Sequence, residues 1–297
     1  ALEGKGLIGD VLLESRPSRA WIVDVFIRTS VAHRELALDV ETAGLPRSGS
    51  IQFTARLLNP FGRTERVLRA SAAAPAGSGS VTVAWPWPDP RLWEAGAPEL
   101  YELVLEARGP GLDDAIRRTF GFREFAVAGK HFMLNGTEIR LRPVHPDREQ
   151  WGGAAGTVEH VRGVLAGLRN AGFNLVELWP VDHDERGVIH YRDVWMDEAD
   201  RMGMLLIGPA LAPNAVVGWD GQLWDDASRR ADWTARMQRE MREFRNHPSV
   251  VMWAAGGNLF GHVHDQDPRR LGRTGWVPAA DAAWHERARA GVAALDL

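Results

Sequence analysis

The chain has 297 residues, 45% of them hydrophobic, enough to bury more than one core. Its 35 Lys and Arg stand against 39 Asp and Glu, giving a net charge of -4 and a pI of about 6.2, with no basic footprint for nucleic acid or an anionic membrane. Cysteine is absent, which excludes disulfides, thiolate metal sites and a Cys nucleophile. No apolar run approaches the ~18–20 residues of a membrane span. The opening ALEGKGLIGD lacks the charged-then-apolar layout of a signal peptide and reads as the middle of a longer protein. The compartment stays open. The 13 Trp against 2 Tyr supply large flat apolar surfaces, suited to cores first and to stacking on sugar rings second.

Residues 1 to about 127 predict an all-β unit. Trp21–Val31 and Glu35–Val40 alternate apolar and polar residues, and Ile51–Leu57, Val81–Trp85 and Tyr101–Leu105 are further short strands. Turn-forming clusters separate them at Gly44–Gly49, Asn59–Gly62 and Pro75–Gly79. Around seven such strands in this length predict an immunoglobulin-like β-sandwich.

The periodicity changes near Phe132. Asn135-Gly136 predicts a type I′ hairpin, feeding a strand over Ile139–Val144 that ends at His145-Pro146. Thr157 caps a helix through Leu168, with Val158, Val161, Leu165 and Leu168 on one face and Gly172 ending it. Strands over Phe173–Trp179, Met204–Ile207 and Ser249–Ala255 alternate with helices over Val188–Met202 and Ser228–Phe244, and Pro278–Leu295 forms a last helix. Alternating strands and helices predict a parallel sheet. Residues 128–297 are too few for a closed eight-stranded barrel of about 250 residues, so the expectation is either an open α/β domain or a partial TIM (β/α)8 barrel, with the apolar, uncapped run Ala293–Leu297 favouring the partial barrel.

Several runs resemble glycoside hydrolase family 2, the β-galactosidase, β-glucuronidase and β-mannosidase group. Phe120-Gly121-Phe122-Arg123-Glu124 resembles the FGFRE that closes the family's immunoglobulin-like domain. Leu134-Asn135-Gly136 through Leu141-Arg142 resembles its lead-in to barrel strand one, and Gly172-Phe173-Asn174 its GFN at strand two. Arg245-Asn246-His247-Pro248-Ser249-Val250 with Trp253 resembles RNHPSVI-W at strand four. Gly6–Val11 resembles the junction after a preceding sugar-binding jelly-roll domain. The resemblance implies a carbohydrate substrate and no cofactor. It also implies a nucleophilic Glu on barrel strand seven, which residues 1–297 do not reach.

The same resemblance locates the site. Retaining glycosidases use two carboxyl groups about 5–5.5 Å apart. The family's acid/base is the Glu of WSLGNE at the end of strand four; here the run is Trp253-Ala254-Ala255-Gly256-Gly257-Asn258-Leu259. The Glu position falls on Asn258 or Leu259, neither of which donates a proton as a carboxylic acid does. The family's Arg at strand two falls on Glu177, its Asp-Glu after strand three on Gly208-Pro209, and its Asn-Arg-His-Glu after strand one on Val144-His145-Pro146-Asp147. Fold signature and catalytic spelling part company.

The catalytic candidates are therefore Asn258, at the acid position, and Asp265 and Asp267, which a longer loop could fold back toward the strand end. The candidates for touching sugar are His145, Trp179, Asp182, Asn258 and His262. An amide offers both donors and an acceptor to a hydroxyl, and a Trp at a strand end offers a stacking face. His262, His264, Asp265 and Asp267 have metal-compatible chemistry, yet a solvated loop explains them more cheaply, and no metal site is assigned. Glu177 is expected to pair with Arg140 or Arg142 across neighbouring strands. Half a barrel exposes open sheet edges and apolar surface, so a second copy of the chain is an expected partner.

Overall fold

The structure, a computed structural model, describes residues 13, 19–146, 157–178, 192–208 and 227–253. Two antiparallel sheets lead the chain. One has the order β1 (Trp21–Ser30), β2 (Glu35–Leu45), β5 (Gly77–Pro86). The other runs β4 (Thr64–Ala74), β3 (Gly49–Leu58), β6 (Tyr101–Gly109), β7 (Leu112–Phe120). Strict alternation explains the pairing: Ile51, Phe53, Ala55 and Leu57 of β3 are buried, as are Val81, Val83 and Trp85 of β5. Side chains of period two bury one face of each sheet, and the two faces share one core with Leu36, Leu38, Leu103, Leu105, Phe120 and Phe122. Trp87 lies edge-on to Tyr101 and Phe122 at 5.0 and 5.2 Å between centroids, packing the sheets at one end.

Five strands form where alternation predicts them, and two more form where it is obscured. The inward positions of β4 are Leu68 and then three small residues, Ala70, Ala72 and Ala74, which read weakly as a strand. In β7 the inward Asp114 breaks the apolar pattern, and its Oδ2 accepts from the Ile22 amide at 2.9 Å. Gly77–Gly79, expected in a turn, opens β5, because its pairing with the end of β2 extends the ladder past the polar residues.

A small sheet follows, β8 (Phe125–Ala128), β9 (His131–Leu134) and β10 (Thr137–Ile139). Asn135 and Gly136 have φ of 52° and 77°, the two positive angles a type I′ turn requires. The strand expected over Ile139–Val144 is interrupted: β10 ends at Ile139 and β11 is only Pro143–Val144.

The rest is a parallel sheet in sequence order, β11, β12 (Leu175–Glu177), β13 (Leu205–Gly208) and β14 (Val250–Trp253). The helices between them are α1 (Val158–Asn170), α2 (Arg192–Met202) and α3 (Ala227–Phe244). The Thr157 side chain accepts from the His160 amide to cap α1. At the other end the Phe173 amide donates to Leu168 and the Gly172 amide to Arg169, a paired closure of the last turn. Val161, Leu165, Trp195, Met196 and Ala199 bury the helix-facing side of the sheet with Val176, Leu206 and Val250. Leu175 and Leu205 point the other way and pack on Trp93, with Leu100, Ile139 and Leu141 around them. No described helix is long and apolar enough to cross a membrane.

Candidate functional site

Parallel strands present ligand-binding groups at their carboxyl ends, because loops leave there without blocking the sheet. Here those ends are His145 after β11, Leu178 after β12, Gly208 of β13 and Trp253 of β14. His145 is exposed, with Nδ1 3.3 Å from the Glu177 carbonyl, which ties its ring to the end of the neighbouring strand. The Trp253 ring lies across Gly208, where a Cβ would sit 2.6 Å from its Cε3. The structure thus brings His145 and Trp253 to one edge of the sheet. Trp179, Asp182, Asn258, His262, Asp265 and Asp267 lie outside the described residues.

Glu177 departs from expectation. Neither Arg140 nor Arg142 forms an ion pair with it among the described residues. Arg142 Nε instead donates to the Gly172 carbonyl, and the Arg142 amide to Asn174 Oδ1 at 2.7 Å. Asn174 Nδ2 returns a bond to the Arg140 carbonyl at 2.9 Å, so an amide side chain, not a carboxylate, stitches the lead-in of β11 to that of β12. One buried carboxylate of this region is Glu198 of α2, 1% exposed, which accepts from Arg162 of α1 at 2.8 Å and Arg201 at 2.7 Å. Burial pushes the Glu198 pKa up, but the two arginines outweigh it and hold the group below its usual range.

The opposite end of β14 meets the sandwich, and the two motif runs meet each other there. Arg123 donates from Nε to the Pro248 carbonyl at 3.0 Å and from an Nη to Val250 at 2.5 Å. Burial lowers the Arg123 pKa to about 10 despite the nearby Asp200 charge, which leaves the guanidinium charged at neutral pH. Asn246 pairs with β1 like a strand residue, accepting from the Ile27 amide and donating to the Val25 carbonyl, both at 2.9 Å. Arg245 reaches Asp24 at 2.6 Å and stacks its guanidinium over Phe26 at 4.4 Å. Gly121 lets this happen: a Cβ there would come within 2.6 Å of Trp93 and 2.8 Å of Pro248.

Asp200 is the hub behind the junction. Its carbonyl accepts from Trp93 Nε1 at 2.9 Å, Oδ1 accepts from the Ser249 amide at 2.9 Å, and Oδ2 lies 2.6 Å from His247 Nδ1. Asp197, Asp200 and His247 are close enough to suggest a metal, but both Asp200 oxygens are already engaged, and the grouping reads as a closed hydrogen-bond network. Between the sandwich and β14 lies a cleft of about 510 Å³, lined by Arg28, His33, Glu35, Glu124 and Trp253 among others.

Sequence reasoning singled out neither Trp93 nor Asp200, since a Trp in a loop and an Asp in a charged helix carry no local signal. It did pick out both motif runs, without the contact between them.

Residues 20–123 match the family model described as Glycosyl hydrolases family 2. A protein of Formosa agariphila named as a candidate β-glucuronidase is 25% identical over 284 residues, covering 89% of this chain and 25% of its own length. Among solved structures, a Bacteroides uniformis β-glucuronidase superposes with a TM-score of 0.67 at 20% identity, over 94% of this chain and 33% of that one. A β-glucuronidase from Ruminococcus gnavus gives 0.63 at 17% identity, over 95% and 42%. The β-rich fold is therefore that of the glycoside hydrolase enzymes. Over residues 20–123 the chain is thus similar to glycosyl hydrolase family 2, and it spans about a quarter of the length of the curated relative it matches.

Proposed function

We propose that residues 1–127 are the immunoglobulin-like sandwich and residues 128–297 the first half of the TIM barrel of a family 2 glycoside hydrolase, which cleaves O-glycosidic bonds. The observation that carries this reading is order: the family match ends at Arg123, and four parallel strands then follow in sequence order with helices between them. In this reading His145 and Trp253 sit at the rim of a sugar site, to which Trp179, Asp182, Asn258 and His262 are the further candidate contributors. The relatives' names make a β-glucuronide the first substrate to test.

A second reading has a specific observation behind it. Gly257-Asn258-Leu259 stands where the family's general acid stands, and no carboxyl group occupies that stretch. A catalytically inert carbohydrate-binding or structural homologue accounts for this directly. Asp265 and Asp267, close by in the sequence, are the carboxylates proposed to substitute in an active enzyme.

The test is an assay of the intact, full-length protein on a panel of nitrophenyl glycosides including the β-glucuronide. Activated leaving groups need little acid assistance, so an enzyme with only its nucleophile turns them over. Turnover supports the hydrolase; no turnover across the panel with sugar binding retained overturns it. Given turnover, N258E should raise the rate on poor alkyl leaving groups by about 10²–10⁴-fold, the usual contribution of a general acid, and far less on nitrophenyl ones. An equal effect on both classes removes position 258 from the acid's place.

A further inference from the structure

We infer that the His247–Asp200 pair is a pH-dependent latch, fastening the amino end of β14 to α2 and, through Trp93, to the sandwich side of the molecule. The inference rests on the junction's geometry and not on the hydrolase reading.

His247 occupies the turn between α3 and β14, with its amide bonded to the Phe244 carbonyl at 3.0 Å. Its Nδ1 lies 2.6 Å from Asp200 Oδ2, a little inside the roughly 2.7–2.9 Å of charge-assisted N–H···O bonds. The Asp200 side chain is only 6% exposed, so the interaction is weakly screened by solvent. The other Asp200 oxygen holds the Ser249 amide, and its backbone carbonyl holds Trp93, so one residue ties three segments. Arg123 grips the same stretch from the sandwich side at Pro248 and Val250. Moving the turn breaks several of these bonds together.

The charges facing His247 among the described groups are Asp200, Asp197 and Asp193, all from α2, while Arg123 faces Asp200. The Phe244 ring, 6.0 Å away, adds no charge. Burial opposes protonation of His247, but the bond to Asp200 and the three carboxylates outweigh it, and the pKa rises above the ordinary 6.5. A raised histidine pKa gives stability that is complete below 6.5 and is lost as pH climbs through the folded value. Above that value a neutral imidazole still donates from Nδ1, so the latch loosens without opening.

The test is thermal unfolding of the full-length protein from pH 5.5 to 9, for the wild type, H247Q and D200N. Carboxylates elsewhere titrate alike in all three and cancel in the differences. The wild type should melt above H247Q at pH 6, with the gap closing by about 2–4 °C toward pH 9. In D200N, adding H247Q should produce no pH-dependent gap. A gap of constant size across the range overturns the latch and leaves a purely structural contact. If the variants do not fold, an NMR titration of wild-type His247 decides: a midpoint above 6.5 supports the latch, and one at or below it overturns it. Stabilisation of the wild type but not H247Q by added Zn²⁺ would also overturn it, in favour of a metal site.

Discussion

The sandwich and the parallel sheet are both made of strands, yet they are held in opposite ways. Strands β1–β7 run 9 to 11 residues, β3 and β5 in strict alternation, and cover one another with a single shared core. Strands β11–β14 run 2 to 4 residues and are apolar on both faces. A two-residue strand such as β11 has too little ladder to stand alone. Its sheet exists because helices cover one face and Trp93, which comes from the loop between β5 and β6, covers part of the other. The sandwich explains itself from within; the parallel sheet borrows a wall from its neighbour. Long antiparallel strands therefore tolerate an imperfect pattern such as β4, whereas short parallel ones depend on single residues brought from elsewhere.

That contrast can be broken at Trp93. It is fully buried, its amide donates to the Phe122 carbonyl, its own carbonyl accepts from Asn135, and its indole donates to Asp200. W93A should cost about 3–5 kcal/mol in urea denaturation, and W93F about 1–3, because it leaves the buried Asp200 carbonyl without its indole donor. If the sandwich and the parallel sheet are stabilised differently, W93A should also lower protection from hydrogen exchange at Leu175 and Leu205 more than at Phe53 and Leu57. Equal loss in both places would sink the comparison.

A smaller effect sharpens it. G121A places a methyl between Trp93 and Pro248 and should cost about 1–3 kcal/mol, the usual penalty of overpacking. Because the Trp93 Cβ at 2.6 Å and the Pro248 Cβ at 2.8 Å both remain in W93A, most of the cost should persist in that background, with only the Trp93 Cγ contact relieved, as a double-mutant cycle would show. Smallest is R28A on the sandwich surface. Arg28 pairs with Asp39 at 2.8 Å while 42% exposed, and solvent screening limits the loss to about 0.2–1 kcal/mol by chemical denaturation. A larger loss would mean that the sandwich, too, leans on single contacts.

Much of the fold was legible in order because period-two and period-3.6 patterns are local properties. Thr157, the Asn135-Gly136 turn and the alternation of β3 each act within a few residues, and each forms as read. β4 and β7 were not legible residue by residue, since alanines and an inward aspartate count as core only once a facing sheet exists. The pairing expected for Glu177 failed for a related reason. Charge complementarity says which groups can pair, but among the described residues the bonds of Arg142 go to Asn174 and the Gly172 carbonyl and not to a carboxylate. Of the candidate site, His145 reaches a strand end beside Glu177, as its place before Pro146 suggested. The remaining candidates rest on the motif spelling.

The sequence by itself determined the two kinds of unit, their order and the family resemblance, because each is carried by residues close together in the chain. Only the tertiary structure decided what the two motif runs do. Phe120–Glu124 and Arg245–Val250 are more than a hundred residues apart, and their conjunction depends on a guanidinium finding two backbone carbonyls, an amide completing a strand edge and a glycine leaving room. Hydrogen bonds of 2.5–3.0 Å across that separation have no trace in local pattern, because they are set by where two folded surfaces come to rest.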